Sequence, residues 1–169
     1  MKDVITSLIA TYDVTGKYFD VDAIDKLNGY FATASARIES VKVINANVSA
    51  IIKTAASTLF DEQPELIAPG GNANTTRRYA ACLRDIDYYL RYATYSIIAA
   101  DVDVLDERVL DGLKETYNSL GVSIAPTVRA IELLRDASKE LVKAAGINTV
   151  DFIDEPFDYM GKTLADSSL

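Results

Sequence analysis

Apolar residues recur every three or four positions along almost the whole chain, and this spacing predicts helices. A first stripe covers residues 4–12; Gly16 interrupts it, and the Asp20 side chain can cap a second helix. The pattern predicts that this helix runs from about Val21 to Ala46 and that a third runs from about Val48 to Phe60. One broad apolar face of the second helix contains Ile24, Leu27, Tyr30, Phe31, Ile38 and Val41. No segment shows the alternation of a half-buried strand.

The second half of the chain is predicted to contain further helices, separated by glycine and proline signals. The predicted elements are a loop over 64–74, a long helix capped by Thr75 or Thr76 that ends near Ala100, a short helix from Asp103 to Gly112, and helices over 113–120, 126–145 and 150–164. We therefore expect an all-α chain of seven to nine helices, folded as one domain over residues 1–169 around a single core.

Composition supports this expectation and excludes several partners. The chain of 169 residues is 49% hydrophobic and 25% charged, which is typical of a folded domain with a sizeable core. Its formal net charge of −8 argues against nucleic-acid binding and against docking on anionic lipid, because both need a basic surface. No uninterrupted apolar stretch is long enough for membrane insertion.

The chain has no histidine and a single cysteine, Cys82. It therefore has no Ser-His-Asp triad, no Cys-His pair and no imidazole metal ligand. One cysteine cannot build a zinc finger or an iron–sulfur site, and it favours a reducing compartment. We expect no catalytic residue and no metal site, and an enzyme is the least supported class.

Cys82 lies in a segment rich in arginine, aspartate and tyrosine. At about 100° per residue, Arg78 lies one helical turn before Cys82 and Asp85 almost one turn after it, so these three side chains face one space. Arg84 projects to roughly the opposite side. Arg77 and Arg78 form a pair that can clamp carboxylates. The segment is thus suited to the covalent attachment of a large, flat, acidic prosthetic group.

A structural interpretation of the same helix stays open. Cys82 would then be a small buried hydrophobic residue, which is the usual situation of a free thiol, and the arginines would pair with Asp85 and Asp87 on a solvated face. Tyr79 and Tyr89 lie near the Cys82 side of the helix. By themselves, the tyrosines of this segment are more typical of core and interface positions than of ligand walls.

Several long segments resemble the phycobiliprotein family, and within it the β-type chains of allophycocyanin. These segments are 69–72, 75–85, 88–95, 105–110 and 113–122, and the resemblance extends over essentially the whole chain. Phycocyanin and phycoerythrin β chains carry an additional bilin cysteine, whereas allophycocyanin chains, like this one, carry one. Segments 59–66 and 152–159 are most similar to the minor eighteen-kilodalton β-type core subunits.

The resemblance implies a site for one open-chain tetrapyrrole, phycocyanobilin. Cys82 would form the thioether to ring A, and Asp85 would accept hydrogen bonds from the pyrrole N–H groups. Arg77, Arg78 and Arg84 would bind the propionates, so the resemblance includes Arg84 although the helical spacing does not.

Two further positions follow from the resemblance, and one departs from it. Asn72 corresponds to the asparagine that is N4-methylated in this family and packs beside the bilin, and Tyr117 would be part of the pocket wall. The family usually has tyrosine where this chain has Asn74. An aromatic contact near the pocket or at a trimer contact is therefore lost or moved.

The function implied by the resemblance is light harvesting, on a globin-like fold with an N-terminal helical pair extending from the core. Residues 1–32 would pair with an allophycocyanin α-type chain, with Asp13 and Arg91 as candidates for intersubunit ion pairs, and residues 33–169 would form the bilin-binding part. Three heterodimers would form an (αβ)3 ring that binds core linker and core–membrane linker proteins.

The location implied is the cytoplasmic or stromal face of the thylakoid membrane, in a cyanobacterium or a red-algal plastid. The alternative is a pigment-free globin-like helical module that serves as an assembly or sensory scaffold. The helices alone do not separate these two functions, whereas Cys82 together with Asp85 favours the pigment protein.

Overall fold

The computed structural model describes residues 2–166, and it contains no strand in that range. Within these residues there are eight α-helices: α1 (Val4–Thr15), α2 (Val21–Ala46), α3 (Val48–Glu62), α4 (Thr76–Ala99), α5 (Asp103–Leu105), α6 (Leu113–Leu120), α7 (Ile124–Ala144) and α8 (Asp151–Asp166). A 3-10 turn, Pro64–Leu66, follows α3, and a π-helical turn, Asp106–Leu110, continues α5. The prediction of an all-α chain is confirmed. The predicted domain also includes residues 1 and 167–169, which lie outside the described range.

Local capping chemistry explains where the early helices begin and end. Gly16 has φ 61°, a left-handed conformation that glycine adopts without strain, and it ends α1. The Asp20 carboxylate accepts a hydrogen bond from the Ala23 N–H at 3.0 Å and caps α2 as predicted. Thr75 Oγ1 accepts from the Arg78 N–H at 3.2 Å, which identifies Thr75 as the cap of α4.

The predicted helix from Asp103 to Gly112 is wrong in detail. The capping position of α5 is Val102, and the Asp103 N–H instead donates to Asp101 Oδ1 at 2.9 Å. After α5 the chain widens into a π-helical turn rather than continuing as a regular α-helix. Apolar spacing does not distinguish a single π turn from an α turn, because the two differ by only one residue per turn.

The core lies between α3, α4, α7 and α8, and the C-terminal part of α2 packs on it. Its largest fully buried side chains are Phe157, Ile44, Ile51, Leu59, Ile86, Leu90, Ile97, Leu105, Ile131, Leu134, Ile153 and Met160. On α7, Ile131, Leu134 and Val142 are buried, whereas Leu141 is half-buried. Burying one such aliphatic side chain contributes about 1.5–3 kcal/mol, so this cluster fixes the position of α4.

The N-terminal pair, α1 and the first half of α2, extends from this core. Ser7 Oγ donates to Asp101 Oδ2 at 2.5 Å and ties α1 to the segment after α4. The broad face predicted for α2 is only partly covered, because Phe31 is 62% exposed. The exposed large apolar side chains of α1, of the loop after it and of α2 form the α1–α2 surface: Ile9, Val14, Tyr18, Phe19, Val21, Ile24, Phe31 and Ile38.

Candidate ligand-binding site

A cavity of about 560 Å³ lies along one side of α4, within the range of about 300–1,000 Å³ that is usual for ligand pockets. The end of α3, the loop 64–75, α6 and the beginning of α7 form its other walls. The cavity brings together all seven predicted site residues: Cys82, Asp85, Arg84, Arg77, Arg78, Asn72 and Tyr117. Residues far apart in sequence therefore meet at one site.

Cys82 is half-buried in the second turn of α4 and lines this cavity. Burial, and after it the negative charge of Asp85, raises the pKa of the Cys82 thiol. The protonated thiol therefore predominates at neutral pH, so the group is a weak nucleophile by itself. Cys82 is partly buried against the core, as the structural interpretation expects, but it also lies on the wall of a cavity.

Asp85 has a different partner on each carboxylate oxygen. Oδ1 accepts from Arg84 Nε at 3.1 Å and from Arg84 Nη2 at 2.8 Å. Oδ2 accepts from Tyr117 Oη at 3.1 Å. Because the Arg84 side chain is 64% exposed, its ion pair with Asp85 is screened by solvent, whereas the Tyr117 hydroxyl reaches the carboxylate from the protein interior.

The helical spacing predicts that Arg84 leaves α4 on roughly the opposite side and would have to reach around the helix. The structure places its guanidinium beside Asp85 on the cavity wall, not on the opposite side of α4. A long, flexible arginine side chain can reach around a helix in a way that its Cα direction does not reveal. The hydrogen bond to Asp85 raises the pKa of the Arg84 guanidinium, so this cation stays charged.

Arg77 and Arg78 occupy the first turn of α4 and give one end of the cavity a positive charge. Arg78 Nη1 donates to the Gly71 carbonyl oxygen at 3.4 Å. Within residues 2–166, neither arginine makes an ion pair. The partial positive charge at the N-terminus of α4 adds to their field, so this end favours carboxylates.

The loop before α4 forms a wall of the cavity through a close backbone approach. A Cβ on Gly71 would lie 2.2 Å from the Glu65 carbonyl oxygen, so only glycine fits there. Asn72 Nδ2 donates to the Gly121 carbonyl oxygen at 3.3 Å and joins the loop to the end of α6. Asn74 is exposed, is not among the lining residues, and donates to the Ile67 carbonyl oxygen at 2.8 Å.

Tyrosines near Cys82 differ in their placement. Tyr89 lines the cavity, and its hydroxyl lies 2.5 Å from that of Tyr117. Tyr79 turns away and packs on Phe60, with ring centroids 5.3 Å apart. Apolar side chains from the other walls were missed from the sequence, among them Leu120 and Pro126. No local pattern marks them, because the packing of α6 and α7 brings them to α4.

Comparison with known protein families identifies the family to which this chain belongs. A family model described as "Phycobilisome protein" matches residues 7–164. The chain belongs to the phycobilisome protein family. It is 89% identical over 169 residues to "Allophycocyanin subunit beta-18" of Cyanophora paradoxa, with all of both chains covered. It is 61% identical over 169 residues to "Phycobiliprotein beta chain" of Mastigocladus laminosus, and 59% over 169 residues to "Allophycocyanin subunit beta-18" of a Picosynechococcus strain, again with both chains covered completely.

The chain is therefore a light-harvesting pigment protein and not an enzyme. Phycobilisome proteins have a globin-like all-α fold, carry bilin chromophores covalently, assemble with partner subunits and are associated with the thylakoid in cyanobacteria and red algae. The cavity fits such a group, because it combines one thiol, three guanidinium groups and a carboxylate. The pigment-free scaffold is not supported.

Metal and membrane features are limited in the part of the chain that the structure describes. No group of three or more Asp, Glu or Cys side chains is placed to hold a metal ion there. No single helix among these residues is long and apolar enough to cross a membrane. Only α2 and α3 taken together meet the length and composition criterion, and they are bent by 71° relative to each other.

Proposed function

We propose that this chain binds one phycocyanobilin covalently at Cys82 and relays excitation energy within the phycobilisome core. The observation that carries the proposal is the meeting of Cys82, Asp85 and three arginines in one cavity. A thiol alone would not indicate a bilin. A thiol beside a carboxylate, with cations at a helix N-terminus, matches a linear tetrapyrrole that has central N–H donors and two propionates.

The attachment needs no redox partner. Cys82 Sγ would add across an exocyclic carbon–carbon double bond on ring A, so that an S–C bond forms as the π bond breaks. The thiol proton would go to the neighbouring carbon. Because burial and Asp85 raise the pKa of the thiol, Cys82 must lose its proton as it reacts.

The charged groups would then hold the pigment extended. Asp85 would accept hydrogen bonds from the pyrrole N–H groups and stabilise a protonated, positively charged ring system. Arg77 and Arg78 would hold one propionate, while Arg84, which is exposed beside Asp85, would reach the other. A fixed tetrapyrrole loses less excitation energy through torsion, so the cavity acts as a preorganised support.

The wall residues would complete the site. Tyr117 contacts Asp85 directly and would lie against the pigment. We propose that Asn72 carries the N4-methyl group, because Asn72 lines the cavity. The methyl replaces one of two amide hydrogens, so the other hydrogen can still donate to the Gly121 carbonyl.

The partner surface is proposed to be the α1–α2 surface, within residues 1–32 and the adjoining turn or two of α2. We propose an allophycocyanin α-type chain as partner, three heterodimers in an (αβ)3 ring, and core linker and core–membrane linker proteins bound to it. Burying these exposed apolar side chains would drive the association.

Asp13 is exposed and available for an ion pair. Arg91 pairs with Asp87 in the single chain, and its proposed intersubunit contact stays a prediction.

Residues 33–169 would form the bilin-binding part. The proposed division at residue 32 falls inside α2, which is continuous there. It therefore separates the part of α2 on the proposed partner surface from the part of the same helix that packs on the core. We place the assembly at the cytoplasmic or stromal face of the thylakoid. With a net charge of −8, contact with anionic lipid is unfavourable, so attachment through linker proteins is expected.

Substitution of the thiol tests the proposal. The wild-type chain, Cys82→Ala and Cys82→Ser are loaded with phycocyanobilin, denatured in acidic urea, and measured by absorption. Wild type should keep the pigment after denaturation, and both variants should lose it. Circular dichroism before denaturation should show that both variants are folded. Retention of covalent pigment by either variant would contradict the proposal.

A further inference from the structure

Tyr89 is a buried polar residue of the cavity to which the proposed function gives no role. It is 3% exposed and lies on α4 two turns after Cys82. Its hydroxyl is 2.5 Å from Tyr117 Oη, and Tyr117, which is 7% exposed, reaches Asp85 Oδ2 at 3.1 Å. The three residues therefore form a hydrogen-bonded chain that leads from the core to the carboxylate.

The direction of this chain follows from the number of protons. A carboxylate only accepts, so Tyr117 donates to Asp85. A phenol has one proton, so Tyr117 cannot also donate to Tyr89, and Tyr89 must donate to Tyr117. Burial raises the pKa of both phenols, so each keeps its proton at neutral pH. Both hydroxyl groups thus point toward Asp85.

The two sides of Asp85 are held with unequal firmness. On the Oδ1 side, Arg84 is mostly exposed, and such ion pairs are weakened by solvent and by side-chain mobility. On the Oδ2 side, Tyr117 is held between Asp85 and Tyr89, and neither ring can leave the packed interior without exposing a large apolar area. The buried side is therefore the one that fixes the carboxylate plane.

We propose that Tyr89 is a positioning residue of the bilin site, which acts through Tyr117 to orient Asp85 toward the pigment. This inference rests on the proposed function of the cavity. The competing explanation is that Tyr89 only fills space, in which case phenylalanine would serve equally well. The hydroxyl itself separates the two explanations, because it contributes to orientation and not to the packing of the ring.

The loaded chain provides the first test, with Tyr89→Phe, Tyr117→Phe and the double variant. Covalent attachment at Cys82 is scored separately in acidic urea, so failure of the proposed function is distinguished from failure of the positioning role. When one neutral hydrogen bond is lost, the ratio of Asp85 conformers that face the pigment to those that turn away should fall about five-fold. Tyr89→Phe should therefore keep the pigment but show a broader red absorption band and a lower fluorescence yield.

The double variant makes the test specific. If Tyr89 acts through Tyr117, removing its hydroxyl in the Tyr117→Phe background should cause no further loss of fluorescence. Tyr95→Phe is the matched control, because Tyr95 lies on the same helix, is half exposed and does not line the cavity. A wild-type spectrum for Tyr89→Phe, or losses that add in the double variant, would overturn the proposal.

The chain without pigment provides the second test, which needs no folded Tyr89 variant. Hydroxyl protons of isotope-labelled tyrosines are observed by NMR in the wild type, in Asp85→Ala and in Tyr117→Phe. The Tyr89 hydroxyl resonance should shift and exchange faster in both variants, since a connected chain weakens along its length. An unchanged Tyr89 resonance in Asp85→Ala would show that no such chain exists and would overturn the proposal.

Discussion

The cavity beside α4 and the α1–α2 surface differ in how completely one chain supplies their contacts. In the cavity, several polar groups have partners from the same chain: Asp85 is held by Arg84 and Tyr117, and Asn72 bonds to Gly121. On the α1–α2 surface, large apolar side chains such as Phe31 are exposed. The pigment site is therefore set by the folding of one chain, whereas the surface becomes a packed interface only through assembly.

Truncation of the core beneath the cavity should have the largest effect. Leu134 on α7 is fully buried, so Leu134→Ala should lower the free energy of unfolding by about 2–5 kcal/mol. Phe31→Ala, a truncation on the α1–α2 surface, should lower it by less than about 0.5 kcal/mol in the single chain. Urea denaturation measures both, and equal losses would contradict the contrast between the two regions.

Phe31 should matter for assembly instead. Burying its ring against a partner is worth about 1.5–3 kcal/mol, so Phe31→Ser should weaken association with an α-type chain about 10- to 100-fold. Calorimetric titration measures this affinity. Lys26→Gln, an exposed substitution on the other side of α2, is the control and should leave the affinity unchanged. An unchanged affinity of the Phe31→Ser chain would show that Phe31 lies outside the interface and would contradict the proposed partner surface.

The attachment of α1 to the core should show a smaller effect. Ser7→Ala removes the hydrogen bond to Asp101 and should cost about 1 kcal/mol, because that bond is partly exposed. Amide hydrogen exchange in α1 should then speed up about five-fold, with α4 unaffected. Thr11→Ala, which removes a bond within α1 only, is the control. Equal acceleration in α1 and α4 would indicate global destabilisation and contradict the prediction.

The reactivity of Cys82 should show the smallest effect. Asp85 contributes to the raised pKa of the thiol, so Asp85→Asn should lower that pKa and increase the thiolate fraction at pH 8. Alkylation by iodoacetamide in the pigment-free chain should then be faster, by less than about five-fold. Asp87→Asn on the same helix is the control and should leave the rate unchanged. A slower reaction of Asp85→Asn would contradict the electrostatic account.

The sequence predicted the fold well because helical spacing and capping residues are local signals. Gly16 ends α1, Asp20 caps α2 and Thr75 caps α4, each in the role that its chemistry favours. The π-helical turn after α5 and the true cap at Val102 were not predictable, since both depend on how that segment packs. The exposure of Phe31 could not be predicted for another reason. An apolar helix face has the same sequence pattern whether it packs on the core of its own chain or on another chain.

The candidate site was predictable only where it follows one helix. Cys82, Arg78 and Asp85 share a side of α4, and the helical spacing alone brings them together. Arg84 was assigned to the site only through the family resemblance. Helical spacing gives the direction in which a side chain leaves the helix, but not where the end of a long side chain lies. Contacts from Tyr117 and from the remaining walls depend on the packing of α6 and α7 against α4, a long-range feature that local periodicity does not contain.

Peptide mapping of the native protein tests the central claim most directly. Trypsin cleaves after Arg78 and Arg84 and so releases the short peptide 79–84, which contains Cys82. We predict that this peptide carries the mass of one phycocyanobilin and the red absorbance of the digest. An unmodified peptide 79–84, or red absorbance on any other peptide, would contradict the assignment of Cys82 as the single attachment site.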